Sequence, residues 1–225
     1  MFDETDYKSI YSWLFAISVL FTVLVVLWVV FMMMNRLPGN INEQLGSIKQ
    51  EPFLYKLTFM NASLISITLV PLMIILGLFV RTVSKGLLDL AGIVFLAPYT
   101  LLVSIGYSSQ YIVLPRILSE SGIDGARLWY FGNPSGIPYF LVFLGYTFFA
   151  LSALTIGWKY IKGKGIGKVI GFLLWLSGIT GIMGFVGMTM NNSFLEQSMT
   201  ISGAFMLPFG IASAVFSRKL QRQSI

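Results

Sequence analysis

The chain has 225 residues, 56% hydrophobic and 11% charged, with a mean hydropathy of +0.81 and a net charge of +6. Soluble domains carry about 25% charged residues, so this composition excludes an ordinary soluble domain and points to an integral membrane protein. With no cysteine and no histidine, disulfides, thiolate nucleophiles or metal sites, and imidazole-based catalysis or haem ligation are excluded.

Charged residues divide the sequence into six neutral runs, 9–35, 57–80, 90–115, 128–158, 169–195 and 197–217. Each can supply the roughly 20 apolar residues that a spanning helix requires. Spans are predicted near 12–34, 57–80, 88–113, 137–158, 167–190 and 198–216. The fold class is therefore an all-α membrane protein, with six transmembrane helices in one bundle and a single integral membrane domain over residues 1–225.

The first span follows Asp3, Glu4 and Asp6 rather than a basic n-region, and its apolar stretch from Trp13 to Met34 is too long for a signal-peptide core. It reads as an uncleaved helix. In the next loop, Ile41, Leu45 and Ile48 recur at helical spacing between Pro38 and Pro52, which predicts a short surface helix. The second span carries Pro71, the third Pro98 and the sixth Pro208, and each proline predicts a bend. Asp89 at the start of span three stands four residues after Lys85, the arrangement of a helix-start acid with a paired lysine. In loop 116–136, Trp129, Tyr130 and Phe131 suit the interfacial aromatic belt, and the following Gly-Asn-Pro-Ser-Gly suits a turn. The loop thus reads as resting on the interface, with a lid over a site as the alternative.

Span five carries glycine at 167, 171, 178, 181, 184 and 187. A glycine costs roughly 1 kcal/mol in a soluble helix, whereas small residues let helix backbones approach closely in lipid. This span is therefore read as the central one. At 100° per residue, Gly167, Gly171 and Gly178 share a face, and the remaining three step round it. That makes the helix slim on several sides, for close packing or for a ligand.

Lysine and arginine set the topology. With the N-terminus cytoplasmic, ten fall inside and five outside, the latter balanced by five acids. Both termini are then cytoplasmic, and the whole +6 lies on the inner side, facing anionic inner-leaflet lipids of the cell membrane. These clusters are juxtamembrane and lack a recognition motif, which argues against nucleic acid. Gly163-Lys-Gly-Ile-Gly-Lys168 does not make a phosphate loop, because Lys162 stands where the first glycine belongs and Val169 follows the lysine.

Ionisable side chains inside a membrane mark function by default, and the predicted spans place none in their interiors. That argues against an enzyme, a cofactor or metal centre, and a proton pump. Neutral polar residues instead collect at the outer ends of several spans. Asn61, Tyr107, Gln110, Tyr146, Asn191, Asn192 and Glu196 are the candidate ligand-binding residues, because amides and hydroxyls in hydrocarbon must find partners. The reading is a non-catalytic membrane component that binds a neutral or lipophilic small molecule from outside or assembles with a partner membrane protein. The alternative is a small permease, or the membrane subunit of a transporter for a neutral solute.

Overall fold

The computed structural model describes residues 4–83 and 87–223. Among these are twelve α-helices, one 3-10 turn and no strand. Six helical stretches are long and apolar enough to span a membrane: Ser9–Met34, Pro52–Val80, Leu90–Glu120, Ile137–Ile161, Ile166–Thr189 and Ser193–Arg222. The pairing expected of Lys85 with Asp89 involves side chains outside the described residues.

Helix α1 (Glu4–Met34) leaves Trp13, Leu20, Val23, Leu27 and Val30 exposed along its length. In water such a stripe is an aggregation liability; against acyl chains it is ordinary. Helix α2 (Ile41–Gln50) is the predicted surface helix. Asn40 caps it by accepting from the Asn42 and Glu43 amides, and Glu43 accepts from the Asn40 amide in return. Its Leu45 and Ile48 are buried. Helix α3 (Pro52–Val83) starts on proline, which needs no amide partner at a first helical position. It continues unbroken through Pro71.

The third stretch comprises α4 (Leu87–Val94), α5 (Leu96–Tyr111) and α6 (Val113–Glu120). The sixth comprises α10 (Ser193–Glu196), α11 (Ser198–Ala204) and α12 (Met206–Gln223). Helices α4, α5 and α11 end at Val94, Tyr111 and Ala204, each four residues before a proline: Pro98, Pro115 and Pro208. A proline ring clashes with the carbonyl four residues back and offers it no N–H, so the interruptions fall where that clash acts. Between these stretches lie α7 (Gly122–Ala126), a 3-10 turn at Arg127–Trp129, α8 (Ile137–Ile161) and α9 (Ile166–Thr189).

By its internal contacts the chain forms two compact units. Unit 1 takes Met1–Val23, Thr68–Ala97 and Thr147–Ile225; unit 2 takes Leu24–Ile67 and Pro98–Tyr146. In unit 1, α9 packs on α8, α10, α11 and α12, and all six of its glycines are buried. A Cβ on Gly178 would stand 3.0 Å from the Ala150 carbonyl oxygen, and one on Gly184 would stand 2.7 Å from the Met199 amide nitrogen. One side of α9 therefore meets α8 and another meets α11. The stepping of the glycines around the helix is used for packing against two neighbours. Between α9 and α11, Ser177 and Ser202 share a buried hydroxyl–hydroxyl bond of 2.8 Å.

Candidate functional site

Unit 2 gathers Tyr55 of α3, Ser109 of α5 and the backbone of the 121–136 loop around Gln110, which is fully buried. The Gln110 Oε1 accepts from the Tyr55 hydroxyl at 2.7 Å and from the Phe131 amide at 2.9 Å. Its Nε2 donates to the Trp129 carbonyl at 3.1 Å and to the Ser109 hydroxyl at 2.8 Å. One amide therefore fastens the loop backbone to α3 and α5. The loop is held a second time through Tyr130, whose hydroxyl donates to Gln44 Oε1 at 2.7 Å, and a third time through Arg127, whose Nε donates to Asn42 Oδ1 at 3.0 Å. Asn133 stiffens it internally, donating to the Arg127 carbonyl and accepting from the Ser135 amide. Tyr130 is only 3% exposed, and burial pushes its phenol up to about 12.

Pinned in this way, the loop delivers Phe131 among aromatic rings. Its centroid lies 5.4 Å from Phe59, 6.0 Å from Tyr107 and 5.7 Å from Tyr139. Tyr139 stacks on Phe143 at 4.4 Å, and Tyr55 lies 4.8 Å from Phe59. The box is thus walled by α3, α5 and α8. Each such ring pair contributes about 0.5–1.5 kcal/mol beyond area burial. Beyond the box, the Tyr107 and Tyr146 hydroxyls are 3.2 Å apart, and the Tyr146 ring meets Tyr99 edge-on at 5.6 Å.

Of the residues singled out from sequence, Asn61, Tyr107, Gln110 and Tyr146 belong to unit 2. Gln110 is the hub, and Tyr107 and Tyr146 pair with each other. Asn61 is buried and spends its amide on the Leu24 carbonyl of α1 at 3.0 Å. Asn191, Asn192 and Glu196 belong to unit 1, where they build the turn after α9. Asn191 adopts φ 51°, the left-handed conformation that asparagine tolerates better than most residues. The Asn192 amide reaches the Gly187 carbonyl and the Asn191 amide reaches the Met188 carbonyl, a Schellman closure. The Asn192 side chain then caps α10, and Glu196 stands in that helix's first turn.

Several smaller polar residues at these helix ends bond within their own helices. The hydroxyls of Thr58, Ser63, Ser109 and Thr189 donate to carbonyls three or four residues back. Sequence reasoning missed Tyr55, Phe59, Gln44 and Phe131. The one local signal was the Tyr55–Phe59 spacing of four, which puts two rings on one face of α3. Trp129, Tyr130 and Phe131 do not act alike as an interfacial belt, because Tyr130 is buried and Phe131 fills the box. Comparison with protein-family models, with characterised proteins and with solved structures finds no match.

Proposed function

We propose that this chain is a non-catalytic, multi-pass component of the cell membrane that takes a neutral, flat, apolar or amphipathic ligand in the Phe59–Tyr107–Tyr139 box. The seat of Phe131 carries this reading: a loop side chain occupies a site whose walls come from three membrane-length helical stretches. Phe131 stands in for the ligand in the closed form. Displacing it gives up three ring contacts, about 2–4 kcal/mol in all, so a ligand binds the closed form about 30- to 1,000-fold more weakly than an open box. The Gln110 amide and the Tyr107–Tyr146 hydroxyls supply the few polar groups that orient a ligand in an otherwise apolar site.

The box faces outward in this proposal. Lys159, Lys162, Lys164, Lys168, Arg218, Lys219 and Arg222 cluster at helix ends of unit 1, and the positive-inside rule puts them, with both termini, in the cytoplasm. A C-terminal reporter is expected to be active inside the cell; an external reporter inverts the topology.

The test of the site uses the absence of native cysteine. Tyr107→Cys is expected to resist an impermeant maleimide applied from outside, because residue 107 is 8% exposed beneath Phe131. Adding Phe131→Ala is expected to make it reactive, and neutral amphiphiles retained in mild detergent are expected to protect it. A cysteine that stays inert in the double variant removes the box from consideration.

A second reading, a small permease or transporter subunit for a neutral solute, draws on the interrupted third and sixth stretches. Broken helices in transporters form substrate sites. Solute uptake by proteoliposomes holding only this chain supports it. Co-purification of a partner membrane protein supports an assembly role instead.

A further inference from the structure

A cavity of about 460 Å³ in unit 1 is lined by Phe15 of α1 and by Ala214, Val215, Arg218, Lys219 and Arg222 of α12. Its chemistry is graded along the helix. Arg218 and Arg222 are four residues apart and therefore share a face, with Lys219 beside them. One turn further into the span, Ala214, Val215 and Phe15 form an apolar wall. Among the described residues no acidic side chain lines the cavity, and the ion pairs found there involve Arg116 and Arg127, not these three cations.

The groove is also braced. The Arg218 guanidinium lies 4.3 Å over the Phe15 ring. The Ser217 hydroxyl donates to the Tyr11 carbonyl at 2.6 Å, and Gln221 Nε2 donates to the Ser12 hydroxyl at 3.4 Å. These contacts join α12 to α1 on the side adjoining the cations. The cationic rim is thereby held next to the apolar wall rather than left to drift along a flexible terminus.

We infer that this groove is a binding site for one anionic phospholipid, with its phosphate between Arg218, Lys219 and Arg222 and an acyl chain along Phe15, Ala214 and Val215. A guanidinium offers the fork of donors that matches phosphate oxygens. A soluble phosphate would use the three cations but leave the apolar wall idle; a phospholipid uses both. The inference rests on the membrane-spanning reading of the helices and is independent of the aromatic box.

The test uses the purified full chain in mild detergent, with native mass spectrometry of lipid adducts. Phosphatidylglycerol and phosphatidylcholine serve as probes, and inorganic phosphate as competitor. Phosphatidylglycerol is expected to be retained over phosphatidylcholine, and Arg218→Gln with Arg222→Gln is expected to weaken that retention about thirtyfold. Lys219→Gln alone is expected to weaken it by a smaller factor, and it serves if the double variant does not fold. Val215→Trp, which fills the wall but keeps every charge, is expected to reduce retention as well. Lys49→Gln with Lys56→Gln, equal in charge lost but belonging to unit 2 and absent from the lining, is expected to leave retention unchanged. Equal loss in that control means diffuse attraction and overturns the site. Full displacement of phosphatidylglycerol by inorganic phosphate identifies a soluble anion as the occupant and overturns the lipid assignment.

Discussion

Replacing Gln110 with leucine keeps the volume of the side chain and removes its five hydrogen bonds. Tyr55 loses its acceptor inside a dry site, since it is 2% exposed. A buried group orphaned in this way costs about 1–3 kcal/mol. The Phe131 amide and the Trp129 carbonyl lose partners too, but both belong to a loop that can turn toward water. They add about 0.5–1 kcal/mol each, so the total is about 2–5 kcal/mol. Most of it falls on the 121–136 loop, because that is the segment the amide fastens. The assay is limited trypsin digestion of the full chain in mild detergent, following cleavage after Arg127 by mass. Where opening is fast relative to cleavage, the rate tracks the open population. Gln110→Leu is therefore expected to speed that cleavage at least about tenfold, while Ser108→Ala, which removes only a bond within its own helix, is expected to leave it unchanged. If both variants are cut at the wild-type rate, Gln110 does not hold the loop.

Gly171→Ala sets a new Cβ 2.8 Å from the Gly157 carbonyl oxygen and the Tyr160 carbonyl carbon; overpacking of about 1–3 kcal/mol outweighs the helix-propensity gain of about 1 kcal/mol, so its melting point is expected to fall. Gly203→Ala meets nothing within 4 Å and is expected to hold or raise the melting point. Asn191→Ala is expected to cost about 1–2 kcal/mol because its backbone is left-handed, and Asn191→Gly is expected to cost nothing, as read by thermal unfolding. For Tyr130, whose phenol is raised to about 12, the unfolded chain releases its proton first. Stability is therefore full below pH 10 and falls between about pH 10 and 12, by about 2–3 kcal/mol. Comparing melting points across that range with those of Tyr130→Phe isolates the effect, and identical slopes would sink it.

What could be read from the chain was what repeats locally. Ile41, Leu45 and Ile48 carry the period of α2, and the glycines of α9 mark its packed side even though Val169, Phe172, Leu176 and Ile179 on the exposed side are just as apolar as its core. A hydropathy pattern could not have chosen between those faces; side-chain size could. Treating a charge as a boundary ends the predicted third span at 113, short of Arg116 and of the helix that continues to Glu120. In fact Leu114 and Leu118 stay buried four residues apart, while Arg116 turns outward to pair with exposed Glu120. Lys56 sets the same false boundary at the start of α3, which begins at Pro52, so Tyr55 falls outside the predicted span of 57–80. The box itself joins Gln110 to Tyr55 across 55 positions, and Tyr130 to Gln44 across 86; no local period carries such pairings. The hydroxyls near the helix ends looked equivalent in sequence, yet several are satisfied by their own helix, a choice made by rotamer rather than by residue type.

The three-residue link between α9 and α10 has a consequence for biogenesis. Only Met190, Asn191 and Asn192 separate the two helices, so the strand of chain that follows α9 is beside it as soon as it leaves the ribosome. Contacts this local form early. On the proposed membrane-spanning reading, Ser177 and Ser202 can therefore satisfy one another before either enters hydrocarbon, and the last quarter of the chain would enter the bilayer as a pre-paired hairpin rather than as two helices inserted in turn.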